Sequence, residues 1–425
     1  MTTPVPISDF PILARQGRGG NRLVYLDSAA TSQRPITVIE AERQFLTTAN
    51  GAVKRGSHLL AEEATEAYEN ARAKVASFIG ADSDEVVWTK NSTEGLNLIA
   101  YSLSNATAGR GGVAAQRFAL KPGDNIVVTR SEHHANLVPW QELCARTGAQ
   151  LRWLDVLPMG GGPDQGRLDL STLNVIDENT KVVSFAHVSN VTGAIAPVDE
   201  IVAAARAVGA LVILDACQSV PHFPVNMTEL GVDAAVFSGH KMLGPTGIGA
   251  LWARGEILDA LPVFLTGGSM VEVVTMEETT YAKAPAKFEA GTQMVSQAVG
   301  LGAAVDYLNK AGMPTIAAHE HALTERILGG ITQIDGVRVV GPTTAEDRVG
   351  AVAFVVEDVH PHDVGQVLDA RGVEIRVGHH CAQPIHQVFD TFASSRGSVG
   401  PYNTEADVDA FLDALTGVRS YFGVS

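Results

Sequence analysis

The stretch FSGHKMLGPTGIG, residues 237–249, sets one lysine, Lys241, after a Ser-x-His triplet and ahead of Gly244, Gly247 and Gly249. A lysine so placed can clamp a phosphate, act covalently through its amine, or simply charge a loop. A phosphate-binding loop carries its glycines before the lysine and a Ser or Thr directly after it. Here the glycines follow and Met242 comes next, so the order does not suit a nucleotide triphosphatase.

Other residues add to the lysine. Asp215 closes the apolar run LVILDACQ, 26 positions before Lys241. A carboxylate there either caps a turn or holds a proton on a pyridine nitrogen, which keeps such a ring an electron sink. Asn190 and Gln218 also follow strand ends, within reach of a ring oxygen. Ser92 and Thr93 open a helix, whose first amides favour a phosphate; Ser238 and His240 add donors beside Lys241. His133, in SEHHANLVPWQ, can stack its imidazole on an aromatic ring. Each residue alone has a plain structural reading as a cap, a turn or a core contact. Together they describe one ligand, a phosphorylated pyridine aldehyde joined to Lys241 as a Schiff base.

The chain has three cysteines, Cys144, Cys217 and Cys381. Cys144 falls in a helical pattern and Cys217 two residues past Asp215, both core positions. Cys381 follows a strand in the polar loop GHHCAQP, where His379, His380 and Arg376 can favour the thiolate, the reactive form. Adjacent His and Cys residues do not converge on a tetrahedral ion, so no metal site is read here. An odd, sparse set of cysteines points to reduced thiols in the cytoplasm.

The elements that must position these residues alternate. Helical periods at 61–80, 91–103, 134–147 and 197–208 separate apolar strands at 85–89, 125–129, 181–188, 210–215 and 233–238. That alternation predicts an α/β fold with a mostly parallel, doubly wound sheet, whose ligand lies at the carboxyl ends of the strands. Helices at 293–311 and 313–333, strands at 337–340, 352–356 and 373–377, and a helix at 404–421 predict a smaller C-terminal α+β domain. The glycine-rich stretches 106–116 and 159–169 read as surface loops, and neither has the context of a dinucleotide-binding turn.

Composition excludes some partners. A formal charge of −16 disfavours nucleic acid and anionic membranes. No run of about 18 apolar residues suggests a membrane span, and the first residues do not read as a secretory signal.

From YLDSAATSQRP (25–35) to the C-terminus the chain resembles the fold-type I, class V aminotransferase superfamily, and within it the SufS-type (group II) cysteine desulfurases, especially actinobacterial ones. The resemblance rests on RGSH (55–58), STEGLN (92–97), EHHANLVPWQ (132–141), HVSNVTG (187–193), LDACQ (214–218), SGHKMLGPTGIG (238–249), FEAGT (288–292) and RVGHHCAQP (376–384). It implies a large pyridoxal 5'-phosphate domain over 26–300 and a small domain from 1–25 and 301–425. It implies that Lys241 holds the cofactor as an aldimine, Asp215 faces the ring nitrogen, His133 stacks, and Asn190 and Gln218 flank the ring oxygen. Ser92, Thr93, Ser238 and His240 would bind the phosphate, with Thr292 entering from the second subunit of a homodimer. Arg396 would grip the substrate carboxylate, with Arg376 and His58 lining the pocket. The sequence departs from the family's pattern at Gly397, Val399, Gly400 and Pro401, at Gln293 and Met294, and in a longer 104–123 loop.

The implied reaction converts L-cysteine to L-alanine and leaves a persulfide on Cys381. An acceptor of the SUF system, SufU- or SufE-like, would carry the sulfur to iron–sulfur cluster assembly. The alternatives are a selenocysteine lyase, another class V aminotransferase, and a sulfur-relay scaffold.

Overall fold

The computed structural model describes residues 3–424. Its main sheet has seven strands: β1 (Val86–Thr89), β2 (Asn125–Thr129), β3 (Gln150–Leu154), β4 (Thr180–Ala186), β5 (Leu211–Asp215), β6 (Ala234–Ser238) and β7 (Gly249–Ala253). Their order is β1-β7-β6-β5-β4-β2-β3. The run from β6 to β3 is parallel throughout. β7 lies antiparallel to both β1 and β6. The sheet is therefore mostly parallel, as the alternation predicts.

Successive side chains of a strand serve opposite faces, and both faces are covered. Val212 and Leu214 of β5 join one core with Val38 of helix α1 (Ile36–Thr48), Tyr68 and Val75 of α2 (Leu59–Phe78) and Leu301 of a later helix. Ile213 between them joins the opposite core, with Leu96 and Leu103 of α3 (Ser92–Thr107) and Trp140 and Leu143 of α4 (Val138–Thr147). This two-sided cover is what doubly wound means at the level of residues.

Beyond α5 (Val198–Ala207) and α6 (Val295–Ala311), helix α7 (Met313–Ile331) runs from the first core, which it enters with Met313 and Ile316, into a third core built on Leu323, Ile327 and Phe354. That core backs an antiparallel sheet of β8 (Val337–Val339), β9 (Ala351–Val356), β10 (Arg376–Gly378) and β11 (Ser394–Ser398), in the order β8-β9-β11-β10. Helices α8 (Pro361–Ala370) and α9 (Glu405–Thr416) complete it. The strand expected over 373–377 is broken: Val373 and Glu374 pair with Val24 and Tyr25, whereas Arg376 turns to pair with Arg396. The two glycine-rich stretches are less free than their composition implies. Ala115 is buried, as are Phe118 and Leu120 just beyond it, and buried Gln165 bonds the carbonyls of Val339 and Gly341.

Candidate active site

In the sheet order β6-β5-β4-β2 the carboxyl ends of four strands stand side by side. The turn holding Lys241 follows β6, Asp215 ends β5, Asn190 follows β4 and His133 follows β2. Helix α3 reaches the same edge because Gly95 lets it settle on β6: a Cβ there would lie 2.8 Å from Val236 Cγ1. Its first amide, Ser92 N–H, donates to Ser238 Oγ at 2.9 Å, and the two serine hydroxyls lie 3.0 Å apart. Two buried hydroxyls at a helix N-terminus suit an anion.

The charges here are tuned by burial. Burial and then Lys241 push His133 down to about 3 and His240 down to about 4, so both rings are neutral at pH 7. His133 Nδ1 accepts from Ala135 N–H at 3.1 Å, which leaves its proton on Nε2. Asp215 is buried and accepts from Cys217 N–H at 3.0 Å. Burial, then the Asp215 charge, pushes the Cys217 thiol up to about 12, and burial pushes Cys144 up to about 11. Neither is a thiolate near neutrality. Cys381 is half-buried, with Sγ 3.8 Å from Arg376 Nη2.

Two buried acceptors face no partner. Gln218 donates Nε2–H to Ala29 O at 2.8 Å and Asn190 donates Nδ2–H to His380 O at 2.7 Å, yet Gln218 Oε1 and Asn190 Oδ1 have no partner among the described residues. Buried polar atoms are ordinarily paired, so this pocket is shaped for a polar ligand. The set fits pyridoxal 5'-phosphate: a serine-lined helix end for the phosphate, a buried carboxylate for the ring nitrogen, a neutral imidazole for the ring face and a lysine for the aldehyde. In this orientation the atom that each amide leaves for a ligand is its oxygen, an acceptor.

The Cys381 loop is held on several sides. His380 and Cys381 both have left-handed backbones, φ 51° and 57°, which costs non-glycine residues about 1–3 kcal/mol each. Holding them are His134 N–H donating to Cys381 O at 2.6 Å, Asn190 bonding His380 O, and Gln383 N–H donating to His134 Nε2 at 3.1 Å. His380 is not a cation beside the thiol, contrary to the sequence reading. His386 Nδ1 faces only Ala382 O, at 3.0 Å, and must donate to it. Its Nε2 therefore accepts from Ser394 Oγ–H at 2.9 Å, and Ser394 Oγ in turn accepts from His380 Nε2–H at 2.9 Å. Burial and the charge of Arg396 hold His380 far below the usual imidazole range. Positive charge at the thiol comes from the arginines.

Sequence reasoning missed the segment 25–33. It carries small residues whose backbone closes the site: Ser32 N–H donates to His240 O, Ala29 O accepts from Gln218, and Asp27 pairs with Arg396 at 3.1 Å. The run DSAATS, with almost no side-chain bulk, was the signal. It also explains Gly400, where a Cβ would lie 2.9 Å from Ser28 Oγ; Tyr402, bonded to Ser28 at 2.8 Å, fills the space beside it. Arg396 is buried, donates to Asn190 O at 2.9 Å, and leaves Nε unbonded among the described residues.

Glu132 was missed too. Buried beside His133, it accepts from Thr129, Asn136 and Ala186 N–H at 2.6, 2.6 and 3.0 Å. Burial outweighs those bonds and, with the Asp215 charge, lifts its carboxyl to about 7. The native state then binds a proton that the unfolded chain releases above its ordinary 4.5, so stability is lost as pH rises through 7. The loss by pH 8 is on the order of 3 kcal/mol. Glu132→Gln should erase it: the stability gap between wild type and variant, from urea titrations at pH 5 and pH 8, should change by about 2–3 kcal/mol. A gap independent of pH would show that Glu132 is ionised throughout.

Three expected residues lie at the periphery. His58 is exposed and caps α2 by accepting from Ala61 N–H at 3.3 Å; none of its bonds among the described residues reaches Arg396. Thr93 is exposed on the first turn of α3. Thr292 is exposed and, with Lys90 and Glu94, lines a cavity of about 160 Å³.

Comparison with known proteins agrees with this geometry. The aminotransferase class-V family matches residues 24–411. A probable cysteine desulfurase 2 of Mycobacterium leprae (strain TN) is 55% identical over 429 residues, covering 99% of this chain and 98% of that protein. A probable cysteine desulfurase of Streptomyces coelicolor is 53% identical, covering 98% and 96%. Among solved structures, the apo cysteine desulfurase of Thermococcus onnurineus NA1 is 36% identical with a TM-score of 0.89, over 99% of each chain. The chain belongs to the class-V aminotransferase family, in the branch whose members are named cysteine desulfurases.

Proposed function

We propose that this chain is a pyridoxal 5'-phosphate-dependent cysteine desulfurase that turns L-cysteine into L-alanine and keeps the sulfur as a persulfide on Cys381. The observation that carries this reading is the Cys381 loop itself. It is strapped to His134, the chain neighbour of His133, and to Asn190, with Arg376 3.8 Å from the sulfur.

Bound cofactor supplies an electron sink for the pair released at the substrate α-carbon. Lys241 Nζ takes the α-proton and returns it. Asp215 keeps a proton on the ring nitrogen. His133, neutral, would lie on the ring face and offer its Nε2–H as a donor. Ser92, Thr93, Ser238 and His240 hold the phosphate, while Asn190 and Gln218 border the ring oxygen. Arg396 receives the substrate carboxylate, and Arg376 stands 3.8 Å from the Cys381 sulfur. That sulfur attacks the substrate sulfur; the carbon–sulfur pair goes to carbon, which gains a proton to become alanine.

The same reading divides the chain into a cofactor-binding part, 26–300, and a small part, 1–25 with 301–425. It gives a homodimer in which Thr292 serves the neighbouring subunit, and places His58 at the pocket rim. The hairpin of Val271–Val274 and Thr279–Tyr281 supports a dimer, since it exposes Val273, Val274 and Met276, the kind of apolar surface that self-association covers. Three unpaired cysteines support a cytoplasmic setting, where a SufU- or SufE-like acceptor of the SUF system would take the sulfur to cluster assembly.

The test is product analysis. L-cysteine should give alanine and, with a reductant, an equal amount of sulfide, without a keto acid. Keto-acid-dependent amino transfer without sulfide would overturn the reading. Borohydride reduction of the holoenzyme followed by peptide mapping should tag Lys241, and a tag on any other lysine would refute the cofactor assignment.

A further inference from the structure

Arg396 already has a carboxylate. Asp27 Oδ1 lies 3.1 Å from its Nη2, while Nη1 is committed to Asn190 O. The side chain is 1% exposed and its Nε has no partner among the described residues. A bidentate carboxylate takes two parallel N–H groups along one edge of the fork. Among the described residues, the edge with an unbonded nitrogen joins Nε to Nη2, and Asp27 stands on Nη2.

We propose that Asp27 is a specificity-determining residue, a resident counter-ion with which the substrate's carboxylate must compete for Arg396. The proposal rests on the reading of Arg396 as the carboxylate site. Asp27 keeps a buried cation paired before substrate arrives, since an unpaired buried charge is costly. It also sets a threshold: a simple acid offers no more than Asp27 already does, and only a ligand with further contacts displaces it. A merely supporting Asp27 would do the opposite and strengthen carboxylate binding.

The groups facing Asp27 are Arg396, Arg376, Lys241 and Tyr25. Burial raises its carboxyl above the usual range, while Arg396, Arg376 and Lys241 oppose that shift. As pH falls through this raised value Asp27 takes a proton and releases Arg396.

The experiment is calorimetric titration of the holoenzyme with 3-mercaptopropionate, which has the thiol and carboxylate of the substrate but no amine, and with cysteamine, which lacks the carboxylate. Asp27→Asn should bind 3-mercaptopropionate about five- to tenfold tighter at pH 7.5, the effect of removing a like charge a few ångströms away, and bind cysteamine no tighter. In the wild type, the affinity for 3-mercaptopropionate relative to cysteamine should rise as pH is lowered from 8 to the edge of the probe's own carboxylate range, because burial raises the Asp27 carboxyl above its usual value; this series also decides the matter if the variant does not fold. Equal or weaker binding of 3-mercaptopropionate by Asp27→Asn overturns the proposal, as does a flat wild-type series. Arg396→Lys tests the underlying reading separately: unchanged 3-mercaptopropionate binding there removes the carboxylate site itself.

Discussion

Cys381→Ser should abolish sulfur transfer while leaving substrate binding in place. Wild-type enzyme mixed with L-cysteine should release alanine in a burst of about one equivalent per site, as a covalent enzyme intermediate gives, then in a slow phase that a small thiol or acceptor accelerates. The slow phase follows from the loop: the straps from His380, Cys381 and Gln383 to Asn190 and His134 keep the persulfide from swinging out to an acceptor. The serine variant has the same loop and an untouched Arg396 and Lys241, so L-cysteine should still perturb the visible spectrum of the bound cofactor. Its alanine burst should be absent and its turnover lower by at least about a thousandfold, a modest figure beside the roughly 7 kcal/mol that orientation of a nucleophile supplies. Cys217→Ser and Cys144→Ser should keep the burst, because burial holds both thiols protonated. A full burst in Cys381→Ser would move the nucleophile elsewhere and favour a lyase that needs no enzyme thiol.

The parallel half of the sheet was legible because its strands are continuous apolar runs, and Asp215, Asn190 and His133 follow strand ends that stand side by side. β11 was not. Its sequence, SSRGS, has no apolar residue, yet all five positions are buried between β9 and β10. Small side chains let two strands close around Arg396, and a hydrophobicity pattern cannot register that. β3 escaped for another reason: as an edge strand it leaves Gln150 and Trp153 exposed, which breaks both alternation and continuity. At the site, residue types could be read but polarity could not. His380 looked like a source of positive charge, but burial and the Arg396 charge leave it neutral, with its proton on Nε2 in the chain through Ser394 and His386. Asp27 carried no signal of its own because its partner, Arg396, lies 369 residues away.

The largest stability effect should come from Arg72, buried on α2 far in sequence from the pair it makes. Its guanidinium is 2% exposed, bonds Glu289 through both forks at 2.6 and 3.0 Å, and donates to Val86 O at 2.7 Å. Tyr68 and Trp88 lie over it, with 5.1 and 5.6 Å from the guanidinium carbon to the ring centroids. Glu289 also accepts from Trp88 N–H at 2.8 Å and Tyr68 Oη–H at 3.0 Å. The pair thus pins the segment that leads to Thr292 against β1. Arg72→Met would leave a carboxylate buried beside two aromatic rings, with only neutral donors, and should cost about 3–5 kcal/mol. Glu289→Gln keeps an acceptor for Trp88 and should cost less. Because the two share one network, the double variant should be less destabilised than the sum of the singles by at least about 1 kcal/mol. Urea titrations of the four proteins measure all of this, and additive costs would mean the two charges do not depend on each other. If Thr292 serves the cofactor phosphate, Arg72→Met should also bind pyridoxal 5'-phosphate more weakly at urea concentrations where it is still folded. Unchanged cofactor affinity there would confine the pair to holding the fold.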